Sequence, residues 1–264
     1  MGILNVTPDS FSDGGKHNLV AAAVQHARIM VSEGADIIDV GGESTRPGAD
    51  PIGVQQELDR VMPVIDALIA DGMEVPISVD TYKPLLADQA MQAGASIIND
   101  VHGLQGDPLM AEIAALHGAG VIAMHWDKNR DRSLPLPETL HDYFEANITA
   151  AERVGISPDR LILDPGFGFG KTLGENFGML SASARLGAVG GRGSFPVLVG
   201  TSRKSMIGKV LGNESGERLG GTIATSVLGY MGGGHIFRVH DVRANRDALL
   251  VAEAALYGPP KNEE

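Results

Sequence analysis

The sequence predicts an α/β fold of the TIM (β/α)8 barrel class in a single domain, and three observations carry that expectation. Short β-branched apolar runs alternate eight times with segments of helical spacing, at about 33 residues per unit in a chain of 264. The runs are nearly all apolar, as strands covered on both faces require. Each also ends in polar or charged residues. A strand needs no such ending to fold, since glycine and serine would serve. Chemistry at one end of every strand is what a barrel displays at its carboxyl-terminal face. An open doubly wound sheet gives the same alternation, but its chemistry gathers at one switch point.

Taken in order, the first run, GILNV, carries Asn5 and leads into a long loop, TPDSFSDGGKHN, over 7–18. An alanine-rich helix over 19–33 follows, with Gly34 positioned to end it. DIIDV runs into Gly41-Gly42-Glu43-Ser44-Thr45-Arg46, and a second long loop over 43–53 precedes a helix over 54–70. There Leu58, Val61, Met62, Ile65 and Leu68 make a 3.6-period face. PISV ends in Asp80 and SII in Asn99-Asp100; helices over 84–92 and 108–117 follow, each with proline in its first turn. Asp80 or Thr81 suits the cap of the former, Asp107 that of the latter. VIAM ends in His125 before a helix over 137–154, and RLIL ends in Asp164 before one over 174–186. VLVG runs into Thr201-Ser202-Arg203-Lys204 ahead of a helix over 216–231. HIF runs into Arg238-Val239-His240, and a last helix covers 242–256. The only low-complexity tract is PPKNEE, which sets a barrel over 1–258 and a polar tail over 259–264. Loops as long as the first two, at a barrel mouth, predict lids or binding loops.

Composition narrows the function. With 43% apolar and 20% charged residues the chain is ordinary for a globular protein. No apolar run approaches the roughly 18–20 residues that span a bilayer, and the N-terminus lacks the pattern of a secretion signal. A cytoplasmic protein without membrane attachment is the expectation. The absence of cysteine excludes disulfides and thiolate chemistry. A formal charge of −12 argues against nucleic-acid partners. An acidic protein that binds an anion must place its few cations deliberately, so their positions are informative.

Asp80, Asn99 and Asp164 end three strands. Any one suits a turn or a cap, but strand ends in a barrel converge on one cavity. Two carboxylates and an amide there suit a flat heterocycle with amidine-like N–H groups, since a carboxylate accepts two parallel bonds from such an edge. Adjacent strand residues face opposite ways, so only one of Asn99 and Asp100 points inward. Arg46, Arg203, Lys204, Arg238 and His240 sit at strand ends or in the loops that follow, and together they read as an anion pocket of the kind phosphates occupy. The run Asp164-Pro-Gly-Phe-Gly-Phe-Gly-Lys-Thr172 fails the Walker pattern at Pro165 and the dinucleotide pattern at Lys171. Its glycines instead let the backbone turn tightly over a bound ring, on which Phe169 could pack. Asn5, Thr7, Asp9, Ser10, Ser12 and Asp13 offer oxygen ligands without EF-hand spacing, and no arrangement of histidines suggests zinc. His17, His26, His117 and His141 read as surface residues.

At these residues the chain resembles the dihydropteroate synthases. The blocks MGILNVTPDSFSDGG, DVGGESTRPGA, SVDTYKP, IINDVHG, LDPGFGFGKT, GTSRKS and FRVHDV carry the resemblance in order, from residue 1 to about 245. It implies a barrel that condenses 6-hydroxymethyl-7,8-dihydropterin diphosphate with p-aminobenzoate, giving dihydropteroate and pyrophosphate. It also implies catalytic roles for Asp80, Asp164, Lys204, Arg238 and His240. Asp80, Asn99 and Asp164 resemble the pterin-binding groups, with Lys204 contacting the ring and Arg238 lying against it. Thr45, Arg238 and His240 resemble the diphosphate contacts, and Asn5 the ligand of Mg²⁺. Arg46, Pro47, Phe169, Lys204 and Ser205 resemble the p-aminobenzoate pocket, with Asp9 and Phe11 on the first loop. The resemblance further implies a homodimer through the later helices, with the small-residue stretch around Gly220 to Gly234 compatible with it. Family members usually carry a lead segment before the first strand, and here Met1 almost begins that strand. A pterin-binding methyltransferase-type module shares the fold, but it has no use for the first loop or for the Thr-Ser-Arg-Lys and Arg-Val-His cations.

Overall fold

The strands are two to five residues long, and the alternation of their side chains sorts the molecule into a lumen, a wall and a jacket of helices. The computed structural model describes residues 1–7, 16–43, 50–213 and 217–260. Among them the strands are β1 (Gly2–Asn5), β2 (Ile38–Gly41), β3 (Ile77–Asp80), β4 (Ile97–Asp100), β5 (Gly120–Met124), β6 (Leu161–Asp164), β7 (Leu198–Val199) and β8 (Ile236–Phe237). The helices are α1 (Lys16–Ser32), α2 (Val54–Ala70), α3 (Pro84–Ala93), α4 (Pro108–Leu116), α5 (Leu136–Arg153), α6 (Leu173–Leu180), α7 (Ser183–Gly187), α8 (Ser205–Leu211), α9 (Leu219–Met231) and α10 (Val242–Tyr257).

β1 to β6 form one parallel sheet in chain order, and β7 pairs parallel with β8. Single parallel bridges supply the two seams. Leu163 meets Val197, with Leu163 N–H donating to Pro196 O at 2.9 Å. Gly2 meets Val239, with Ile3 N–H donating to Val239 O at 3.0 Å and Val239 N–H to Met1 O at 2.9 Å. The ring therefore closes, as a barrel requires.

Side-chain parity fills it. Met1, Ile122 and Leu198, with Ile37, Ile97, Ile162 and Ile236, pack as a small apolar plug inside the lumen. Leu4, Ile38, Val40, Val79, Ile98, Val121 and Leu163 face the other way and join the helices in the larger core. Both faces of each strand are covered, which explains why the runs read as apolar throughout.

Some elements differ from expectation. The single helix expected over 174–186 is two, α6 and α7. Ser181 and Ser183 return their hydroxyls to the Gly178, Met179 and Leu180 carbonyls, the competition that ends helices. Ala184 N–H leaves the helix for Gly232 O at 2.7 Å. α8, seven residues long and ended by Gly212 at φ 64°, is too short to show periodicity. Asp80 caps nothing; Thr81 Oγ1 accepts from Lys83 N–H at 3.1 Å instead. Asp107 does cap α4, accepting from Leu109 N–H at 3.0 Å, and Gly34 has the expected positive φ of 94°. His117 is not a free surface group, because its Nε2 pairs with Asp88 at 2.7 Å. Within the stretch 220–234 the glycines and the surface separate: Gly220, Ala224, Leu228 and Met231 are exposed, whereas three other glycines pack inward. A Cβ on Gly221, Gly232 or Gly233 would run into Ile207, Leu180 or Ala184 of the same chain.

Candidate active site

The lumen isoleucines point to the site. Ile37, Ile97, Ile162 and Ile236 each lie two positions before a polar residue, namely Asp39, Asn99, Asp164 and Arg238. By strand parity those side chains stand on top of the apolar plug and face the mouth. Asp80 joins them, in register with Gly41 and Asn99. Arg238 donates from Nε to Asp39 Oδ2 and from Nη2 to Asp80 Oδ2, each at 2.6 Å. Asn99 Nδ2 donates to Asp39 Oδ2 at 3.3 Å. Asp80 Oδ1 is buried and has no hydrogen-bond partner among the described residues, so they leave an acceptor unused. Asp100 takes the opposite face, where its carboxylate accepts from His102 N–H and Leu104 N–H at 2.9 and 2.7 Å. Of the adjacent pair, Asn99 is the inward residue.

Asp164 ends β6 and its Oδ1 accepts from Gly166 N–H at 2.7 Å, which fixes the turn that follows. Gly166 has φ 69°, and a Cβ there would collide with the His125 carbonyl oxygen. Two ammonium groups grip the carbonyls of this loop. Lys204 Nζ donates to Phe167 O at 2.6 Å. Lys171 Nζ donates to Gly166 O and Phe169 O at 3.0 and 3.1 Å and lies 3.0 Å from His125 Nδ1. Phe169 stands between Lys204 Nζ, 4.8 Å from its ring centre, and Trp126, 5.2 Å away edge to face.

After β7, Arg203 adopts φ 57°, a left-handed conformation. Its N–H donates to Thr222 Oγ1 at 3.1 Å and its carbonyl accepts from Arg218 at 2.8 Å, so α9 and the residue that caps its start hold the strained residue in place. That turn sends Arg203 outward to fork onto Asp241 and starts α8 at Ser205, which is exposed. Arg203 therefore does not join the cation cluster expected of it. Lys204 does, and His240, half-buried, lies 3.0 Å from Ser202 Oγ through Nδ1. Asn5 ends β1 in register with Gly41, at the same mouth. Asp9, Phe11, Thr45, Arg46 and Pro47 lie outside the described residues.

Burial dominates the electrostatics. It pushes the Asp80 carboxyl up to about 7, opposed by Arg238 and reinforced by Asp39. Asp164 is raised by burial, against the pull of Lys204. Lys204 is lowered to about 8 by burial, with Asp164 opposing. Burial also works against the Arg238 charge, but Asp39 and Asp80 outweigh it and the group is held more firmly protonated than usual. Lys171 is lowered to about 7 by burial, and burial with the Lys171 charge holds His125 neutral, down to about 3. Acids raised and lysines lowered toward neutrality at one cleft are what acid–base and charge-stabilising sites have.

Two parts of this arrangement are absent from the sequence expectations. Asp39 lies inside the run DIIDV rather than at its end; its parity with Ile37 is the signal that locates it. The Lys171–His125 contact joins residues of separate loops and left no local signal.

The profile of the family described as "Pterin binding enzyme" matches residues 1–240. The chain is 48% identical over 262 residues to the dihydropteroate synthase of Escherichia coli K12, covering 97% of this chain and 91% of that protein. It superposes on a crystal structure of dihydropteroate synthase from Clostridium difficile, determined with pteroic acid, at TM-score 0.91 and 46% identity, covering 97% and 95% of the two chains. The Xanthomonas albilineans dihydropteroate synthase with 4-aminobenzoic acid gives TM-score 0.89 at 45% identity, covering 98% and 93%. With a closed barrel and its polar mouth in place, the chain belongs to the dihydropteroate synthase family of pterin-binding enzymes.

Proposed function

We propose that this chain condenses 6-hydroxymethyl-7,8-dihydropterin diphosphate with p-aminobenzoate, giving 7,8-dihydropteroate and pyrophosphate for folate biosynthesis. The observation that carries this is the buried Oδ1 of Asp80, which no described residue satisfies, beside Asn99 and Asp164 at one mouth. A buried acceptor without a donor is costly, and a ligand edge rich in N–H groups completes it. Asp80, Asn99 and Asp164 grip the pterin, Lys204 contacts its ring and Arg238 lies against its face. Arg238, His240 and Thr45 meet the diphosphate. Arg46, Pro47, Phe169, Lys204 and Ser205, with Asp9 and Phe11, line the p-aminobenzoate pocket. The relatives' structures determined in the presence of pteroic acid and with 4-aminobenzoic acid support the choice of these two substrates.

The bond between the pterin methylene carbon and the diphosphate oxygen breaks with its electron pair leaving on pyrophosphate. Positive charge spreads into the electron-rich ring, where the Asp80 and Asp164 carboxylates stabilise it. Arg238 and His240 stabilise the negative charge that departs. The arylamine nitrogen then attacks the methylene carbon and releases one proton. No covalent nucleophile is required.

Mg²⁺ fits the donor set. Among the described residues no group of three or more acids or histidines could hold a metal alone. Mg²⁺ keeps several waters and shares phosphate oxygens, so one or two protein oxygens suffice. Asn5, ending β1 at the mouth, would provide one, and the bound ion would neutralise diphosphate charge.

A homodimer is part of the proposal. Val210 and Leu211 on α8, Leu228 and Met231 on α9, and Val251 and Tyr257 on α10 are exposed, and a partner docking on these later helices would cover them. Light scattering should give twice the chain mass, and charges placed at Leu228 and Met231 should halve it; a wild-type monomer at micromolar concentration would end this part. We also place the enzyme in the cytoplasm, because a doubly charged diphosphate does not cross a bilayer unaided. No helix among the described residues is long and apolar enough to span one.

One assay tests the activity. Pyrophosphate release from the pterin diphosphate should require both Mg²⁺ and p-aminobenzoate. Release that ignores p-aminobenzoate, or none at all, overturns the proposal.

A further inference from the structure

Asp39 is fully buried in the middle of β2, whereas the side chains of Asp80 and Arg238 keep 10% and 20% of their exposure. It stands in register with Ser78, two residues below Asp80, so it reaches the mouth only through its neighbours. Those neighbours occupy both its oxygens. Arg238 Nε donates to Oδ2 at 2.6 Å, and Asn99 Nδ2 lies 3.5 and 3.3 Å from Oδ1 and Oδ2.

Each contact has a consequence at the mouth. The Nε bond to Asp39 and the Nη2 bond to Asp80 hold the guanidinium at two points, a pre-organised fork rather than a single tether. No described residue accepts from Nη1, which keeps that donor for a ligand. The Asn99 amide has two ends of similar shape and opposite hydrogen-bonding character. A carboxylate below it accepts only from the NH₂ end, so the Asn99 carbonyl is the end presented to a ligand.

We propose that Asp39 is a positioning residue that sets the hydrogen-bonding polarity of the pterin site, aligning Arg238 on Asp80 and turning the Asn99 carbonyl toward the bound heterocycle. The proposal rests on the assignment of Asp80 and Asn99 to the pterin. It extends that assignment to specificity: the site presents acceptors from Asp80, Asn99 and Asp164, and it selects a heterocycle that shows N–H groups where an oxo isomer shows oxygens. Asp39 also belongs to the charges around Asp80, which faces Arg238 from just after β8, Asp39 from β2, Asp164 from β6, Glu57 from α2 and Lys204 from the turn before α8.

The test is Asp39→Asn, which keeps the size of the side chain and one acceptor for Arg238 Nε. The KM and directly measured Kd for pterin diphosphate should rise roughly tenfold, while the KM for p-aminobenzoate stays within about twofold. Removing a negative neighbour should also move the acid limb of kcat/KM to lower pH, a change a merely structural role does not produce. Asp39→Glu restores the carboxylate and should return the limb toward its wild-type position, and thermal melts of both variants establish that the barrel is intact. Equal rises in both KM values, or an acid limb that stays in place in a folded Asp39→Asn protein, overturns the proposal. Asp80→Asn serves as the separate control: if that variant binds pterin diphosphate normally, the assignment beneath the proposal fails and not merely the role of Asp39.

Discussion

Arg238 Nη2 meets Asp80 Oδ2 at 2.6 Å across the mouth of the barrel, although the two residues are 158 positions apart. With Asp39 on Nε, one cation lies between two buried acids. Its removal would leave two uncompensated carboxylates in a desolvated lumen. Arg238→Met is expected to cost roughly 3–5 kcal/mol of stability in urea denaturation, and pairing it with Asp80→Asn should recover part of that loss. Additive losses would mean the ion pair contributes little.

The pH profile follows from the same cluster. Asp80 accepts N–H groups only as the carboxylate, and burial raises it to about 7; kcat/KM for pterin diphosphate should therefore fall as pH drops below about 7. Lys204 acts as the ammonium and is lowered to about 8, so the parameter should fall again above about 8. The two limbs belong to the coupled cluster, and Asp80→Asn should remove the acid one. The sign reverses for folding. Native Asp80 holds a proton that the unfolded chain releases above the ordinary carboxylate value, so its contribution to stability declines as pH rises toward 7.

Asp164→Asn tests charge stabilisation. The amide retains an acceptor for Gly166 N–H but withdraws the negative charge beside the cationic pterin, so kcat should fall about 100-fold or more. Turnover near the wild-type rate would remove this carboxylate from the mechanism.

Gly166→Ala tests the loop. Its φ of 69° and the His125 carbonyl beside the missing Cβ leave no room for a methyl group. Strain alone costs about 1–3 kcal/mol, and the melting temperature should drop accordingly. Lys171→Met should act more gently on folding and more on the substrate. Losing the donor to Gly166 O and Phe169 O frees the loop that carries Phe169, and the KM for p-aminobenzoate should rise severalfold while that for the pterin changes little.

Much of this was legible in the residue order. Asp80, Asn99, Asp164 and Arg238 announced themselves because each ends an apolar run, and strand ends in a closed barrel have only one place to meet. Asp39 was hidden by that same rule, being inside its run; only the lumen parity it shares with Ile37 reveals it. Arg203 misled because sequence adjacency to Lys204 carries no information about a left-handed backbone, which turns the two side chains apart. α8 is shorter than two helical turns, so its apolar spacing has no period to detect. The Lys171–His125 contact depends on how two loops dock, a tertiary fact without a local trace.

The proposed function requires that the acids at the barrel mouth hold a pterin. Calorimetric titration of pterin diphosphate into the wild-type, Asp80→Asn and Asp164→Asn proteins measures it directly. The first should bind tightly and each variant should lose roughly 10–100-fold in affinity, as expected when a charged hydrogen-bond acceptor is neutralised. Equal affinity in all three proteins would contradict it.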